Sequence, residues 1–352
     1  MIENRHKKYT VKTSVMLLMV AQIFVFSIRL FYSSDETNTA MDYIISFLLQ
    51  LGILTVALIF INSKESIRNI IPTKAKKLNK KQRKLLIYIA LLTFVASLPL
   101  TLLFQIIVAN TGYGITETET TQMMSIGTYM ASFVLTVILA PFCEEILFRY
   151  AILKGLKGRG YIMAAFLTAF SFALMHGSLY QFLHQFIGGI VMCIVMQITD
   201  NIFAPMFIHF LNNLLSSLAS IYLTFVLLGG FSLISVVFGW AGLIMALGQL
   251  VRLEVNKRWG YEIITQEAYS IRFSRTVHNI KLFITNRTFR KEAKLLYSAT
   301  MERFDYDNNY EITIFNSNNE ETPLPLITNK ESGLTIYLFY LVIAFQIIVL
   351  FV

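Results

Sequence analysis

Charge is scarce in this chain. Asp, Glu, Lys and Arg supply only 14% of its 352 residues, while hydrophobic residues supply 55%. Soluble domains average about 25% charged residues, so an ordinary soluble domain is excluded. Cysteine is scarcer still. Cys143 and Cys193 both fall in apolar stretches; they build no disulfide framework and read as small buried hydrophobes. No Gly-rich phosphate loop, no repeat of fixed period and no His-Glu-x-x-His zinc-protease spacing occurs. Acidic residues are outnumbered, 21 against 30 Lys and Arg, for a net charge of +9. Those cations cluster in loops beside apolar runs, which is what orientation in a bilayer requires. Nucleic acid is therefore excluded as a partner.

The long apolar runs predict an all-α polytopic membrane protein with about 8–9 transmembrane helices. Crossing a hydrocarbon core of about 30 Å takes roughly 20 apolar residues. Nine segments qualify: 15–32, 43–61, 85–108, 127–153, 161–180, 182–198, 202–228, 231–251 and 334–352. The sixth is the shortest. Lys and Arg crowd the N-terminus, the loop from Ser63 to Lys84, the loop after the fourth segment and the stretch after the eighth; the short loop at Asp200 lacks them. The alternate loops are acidic or neutral. This alternation places the N-terminus in the cytoplasm and the C-terminus outside. Residue usage rich in Ile, Lys and Asn fits a bacterial plasma membrane.

Four regions follow: N-terminal spans and loops (1–126), a transmembrane core (127–251), a small polar cytoplasmic insert (252–333) and a last helix (334–352). Within the insert, Ile280–Ile284 and Tyr310–Ile314 have strand-like runs, Thr288–Arg303 a helical pattern, and Asp307-Asn308-Asn309 and 316–319 turn composition.

Against this apolar background one polar set stands out. Glu144, Glu145 and Arg149 lie within the fourth segment, where each ionisable group costs on the order of 2.5–3.5 kcal/mol by insertion scales. Glu145 and Arg149 are four apart and share a helical face, so their pairing offsets the cost of both. Glu144 points about 100° away, with no partner at favourable spacing in its own segment. Pro141 removes a backbone donor just before the pair. The fifth segment carries Phe172 and His176 on one face; the seventh carries His209 and Asn213. A carboxylate of raised basicity activates water, and His and Asn donate to a developing oxyanion. Together they describe hydrolysis of a carbonyl compound. The same side chains, Glu144, His176, His209 and Asn213, are candidate ligands for a divalent metal such as zinc; no local motif specifies one. His184 and Asn212 read instead as interhelical hydrogen-bonding groups.

Glu144-Glu145-x-x-x-Arg149, Phe172-x-x-x-His176 and His209-x-x-x-Asn213, in this order on three spans, resemble the CAAX protease and bacteriocin-processing (CPBP, or Abi) family, which includes the type II CAAX prenyl endopeptidases. Phe186-Ile187-Gly188-Gly189 and Ala204-Pro205-Met206 resemble its intervening sequence. The resemblance covers about a quarter of the chain. It implies an intramembrane endopeptidase acting on a membrane-associated peptide or protein. Glu144 would activate water with help from His176, His209 and Asn213 would stabilise the oxyanion, and Glu145 and Arg149 would hold the site together. The resemblance also accommodates a non-catalytic membrane partner, such as a bacteriocin immunity factor or a regulator of a sensor kinase. Intramembrane charges also mark transporters, but no paired broken segments recur in the two halves. One geometric tension remains. Counted from Lys157 at 1.5 Å per residue, Glu144 and His176 differ in depth by about 9 Å.

Overall fold

The computed structural model describes residues 9–31, 39–73, 76–111, 126–227, 233–259 and 269–309. All regular structure among them is helical. The helices are α1 (Val11–Phe31), α2 (Thr39–Lys64), α3 (Lys80–Asn110), α4 (Ile126–Arg159), α5 (Tyr161–Met175), α6 (Leu179–Thr199), α7 (Phe203–Leu227), α8 (Leu233–Trp259), α9 (Tyr269–Thr285) and α10 (Arg287–Asn309). Among the described residues, α1, α2, α3, α4, α6 and α8 are long and apolar enough to cross a bilayer. This is an all-α integral membrane protein. The expected ninth span, 334–352, lies outside the described residues, as do the runs at 310–314 and 316–319.

Three expectations need correction. The segment 161–180 does not run as one span: α5 stops after 15 residues at Met175, about 22 Å of helix. Gly177 turns the chain with φ +67°, a conformation that disfavours any side chain, and α6 begins at Leu179. Ile280–Ile284 is not a strand but the end of α9. Phe273, Thr276, Val277 and Ile280 are half-buried at helical spacing, with Leu282 half-buried beyond them, and this longer face outweighs the short strand-like run. Asp307-Asn308-Asn309 forms no turn; it completes α10, which contains the expected helical patch.

Close approaches assemble the bundle. A Cβ on Gly239 would lie 3.1 Å from Ala96 Cα, and one on Gly242 3.0 Å from Leu92, so α8 packs tightly on α3. Ser97 Oγ and His184 Nδ1, 3.1 Å apart, tie α3 to α6, the interhelical bond expected of His184. At Gly189 on α6 a Cβ would meet Ala169 Cβ at 3.0 Å and Phe172 at 3.4 Å. Gly189→Leu is therefore expected to push α6 off α5 and destabilise the protein by about 1–3 kcal/mol, read as a lowered unfolding temperature in detergent.

Polar knots close the basic end of the bundle. Glu65 Oε1 accepts from Tyr9 Oη (2.8 Å), Tyr150 Oη (3.0 Å) and Lys154 Nζ (3.2 Å), and Oε2 from Asn69 (3.0 Å). These bonds join the starts of α1 and α2's exit to α4. Gln82 caps α3 against Asn79 and also donates to the buried Glu254 of α8 at 2.6 Å. Lys76 pairs with Asp200, and Asn201 donates to the Lys76 carbonyl at 2.9 Å. Helix α10 docks on the ends of α5 and α6: Tyr297 Oη donates to Gln197 Oε1 at 2.6 Å, and Gln197 donates to the Tyr161 carbonyl at 2.9 Å.

Burial raises the Glu65 carboxyl, but the Lys154 charge and the bonds from Asn69, Tyr9 and Lys154 outweigh it and hold it down at about 2, from an ordinary 4.5. A lowered carboxyl stabilises the fold above its unfolded value and loses that contribution as pH falls through its folded value. The stability difference between wild type and Glu65→Gln should therefore be full above about pH 4.5 and vanish towards about pH 2. Thermal unfolding across that window checks it.

Candidate active site

The site is built on α4, which is not a regular α-helix. Val134–Leu139 and Ile146–Ile152 are π-helical, flanking a short α-helical segment, Ala140–Glu145. Single π turns are rare and concentrate at functional sites. In the first, Ala140 N–H donates to the Leu135 carbonyl, five residues back. The next bond in that pattern would run from residue 141 to Thr136. Pro141 has no N–H, so the Thr136 carbonyl is left without its helical donor. Asn213 Nδ2 of α7 donates to it instead, at 2.8 Å.

Helix α7 runs antiparallel to α4. His209, Asn213 and Ser217, one turn apart, meet Glu145, Thr136 and Tyr129 in succession. His209 is 2% exposed. Its Nδ1 lies 2.8 Å from Glu145 Oε1, and its Nε2 lies 3.9 Å from Glu144 Oε2. Arg149 Nη1 is also 2.8 Å from Glu145 Oε1, and both side chains are fully buried. The expected pairing of Glu145 with Arg149 is thus present, and His209 joins it. With Glu145 ionised against Arg149, Nδ1 is the protonated nitrogen facing it. Nε2 is then the nitrogen directed at Glu144.

Phe172 organises the other wall. Arg149 Cζ lies 4.3 Å from its ring centre, a cation–π contact strengthened by burial. His176 and His209 each meet its ring edge-on, at 4.8 and 5.6 Å. Phe172 lies against both Arg149 and His209. His176 comes one turn later, with its ring folded back so that Nδ1 is 2.8 Å from the Phe172 carbonyl. Asn212, next to Asn213, is the more buried amide at 4% exposure.

Sequence reasoning missed Gln50. Its Nε2 donates to Glu144 Oε1 at 3.0 Å, so Glu144 does have a partner, from α2. The signal was available: Gln50 is the single amide in the apolar run 43–61. Tyr43, Ile44 and Phe47 precede it at helical spacing and, with Met130, Val134 and Leu135 of α4, line an apolar groove of about 500 Å³.

Among the described residues, no three His, Cys, Asp or Glu side chains converge as a metal-holding group. His209 Nδ1 is engaged by Glu145, and His176 Nδ1 by a backbone carbonyl.

Three motif segments thus meet: both glutamates with Arg149, the Phe172–His176 turn, and His209 with Asn213. Residues 126–215 match the Rce1-like family of type II CAAX prenyl endopeptidases. The Rce1-like segment is about a quarter of the chain and carries all six residues of the polar set; Gln50 lies outside it. No curated protein and no solved structure matches the chain.

Proposed function

We propose that this protein is an intramembrane endopeptidase that hydrolyses a peptide bond in a membrane-associated peptide or protein. The observation that carries the reading is the convergence of Glu144 Oε2 and His209 Nε2, 3.9 Å apart, within a segment matching a protease family. The gap is too long for a direct hydrogen bond and leaves both atoms available to a reacting group.

In this reading Glu144 takes a proton from water as the oxygen attacks the scissile carbonyl. His176 assists through the ring nitrogen not engaged by Phe172. His209, protonated in this step on Nε2 as well as on the Nδ1 held by Glu145, and the second N–H of the Asn213 amide donate to the oxyanion. The tetrahedral intermediate collapses, and Glu144 returns its proton to the leaving amine. Glu145 and Arg149 orient His209 without touching substrate. On the positive-inside rule this reading sets the basic end of the bundle on the cytoplasmic side.

Comparative peptidomics of cells carrying wild type or Glu144→Gln supplies the reporter: a peptide whose release requires Glu144. The purified protein in liposomes should then cleave its precursor. Undiminished cleavage after both Glu144→Ala and His209→Ala would sink the reading. Full complementation by Glu144→Gln in cells would point instead to a non-catalytic membrane partner.

A further inference from the structure

We propose that Gln50 of α2 is a positioning residue for Glu144, so that the active site extends beyond the Rce1-like segment into the N-terminal spans. The inference rests on Glu144 being the base in the reading above.

Gln50 Nε2 donates to Glu144 Oε1 at 3.0 Å across 94 residues of sequence. The opposite orientation of the amide would set two acceptor oxygens against each other, so the carboxylate itself selects the one observed. The two neighbouring glutamates are thereby held by different chemistry. Glu145 is clamped by the full charge of Arg149 at 2.8 Å. Glu144 is held by a neutral donor. A cation beside a carboxylate suppresses its readiness to accept a proton, whereas an amide orients it without an ion pair.

The bond also distinguishes the two oxygens of Glu144. Oε1 is occupied by Gln50. Oε2 is buried with no hydrogen-bond partner among the described residues, and it is the oxygen nearest His209 Nε2. Gln50 thus fixes the carboxylate rotamer so that the working oxygen faces the histidine. It also anchors α2 to α4 beside the glutamate, at the end of the run Tyr43, Ile44 and Phe47 that lines the α2–α4 groove.

The test uses the reporter peptide with full-length protein in liposomes, comparing wild type, Gln50→Leu, Gln50→Glu and Glu144→Gln. Gln50→Leu should lower kcat on the order of 10- to 100-fold, the range typical when a supporting partner of a site residue is lost, with KM changed by less than about twofold. The acidic limb of its pH–rate profile should move to higher pH, because the donor favouring the ionised carboxylate is gone. Gln50→Glu places a second carboxylate beside Glu144 and should move the limb further. If Gln50→Leu fails to fold, the limb in Gln50→Glu carries the test alone. Wild-type kcat with an unmoved limb, or a loss confined to KM, overturns the proposal. If Glu144→Gln is inactive while Gln50→Leu is unaffected, this inference alone falls. If Glu144→Gln still cleaves, the assignment of Glu144 as base falls first and this inference with it.

Discussion

Glu144→Gln should lower kcat by about 10²–10⁴-fold, the contribution of a well-placed general base, while the protein remains folded. The substitution keeps the side chain's shape and removes only its ability to take a proton. The fold tolerates this because Glu144 is not the partner of Arg149: the buried ion pair belongs to Glu145. KM should change little, since the carboxylate works on water rather than on substrate binding. Glu145→Gln offers the contrast. It leaves the proposed base in place but weakens the grip on both Arg149 and His209 Nδ1, so its loss of activity should come with a lowered unfolding temperature. Steady-state cleavage of the reporter, alongside thermal unfolding of the same samples, separates the two. A Glu144→Gln protein that unfolds early, or a Glu145→Gln protein with unaltered stability, would reverse the assignment.

Arg149→Leu should produce the largest loss of stability, about 3–5 kcal/mol, the range for removing one member of a buried pair. Both side chains of the pair are fully buried, so Glu145 would be left charged with no water to reach it. The cation–π contact with Phe172 at 4.3 Å would be lost as well. Arg149→Lys should be only a partial remedy, because an ammonium cannot present a planar face to the ring. The double variant Glu145→Gln/Arg149→Leu should recover most of the stability, since it buries no unpaired charge, yet stay impaired in cleavage because His209 loses its anionic partner. Unfolding of wild type, Glu145→Gln, Arg149→Leu and the double variant in one detergent gives the coupling energy directly.

The membrane helices were legible because a bilayer asks for one thing, length of apolar sequence, and α1, α2, α3, α4, α6 and α8 supply it. The motif residues were legible because charge is costly there: Glu145 with Arg149 was readable from four-residue spacing alone. Other features obey rules that no short window reveals. The π-helical turns of α4 have no composition of their own; Pro141 marked a disturbance but not its kind. Helix α9 was misread because the five residues from Ile280 form a short run rich in strand-favouring side chains, while the face that packs, Phe273 to Ile280, shows itself only over two turns. Gln50 was overlooked because it sits 94 residues from its partner and outside any motif. Its meaning comes from what α2 lies against.

Pro141 deprives the Thr136 carbonyl of the donor that the π pattern would give it, and Asn213 supplies one. Membrane helices insert first and choose neighbours afterwards, in a solvent that offers no hydrogen bonds. An unsatisfied carbonyl on an inserted helix therefore acts as an address for a partner. It also sets the register in which that partner docks. Sliding α7 by one turn, about 5.4 Å, would strand the Thr136 oxygen in lipid and carry His209 away from Glu145 in the same movement. The missing proton of a proline thus fixes the alignment of two helices, and the histidine one turn along arrives opposite the glutamates as a result.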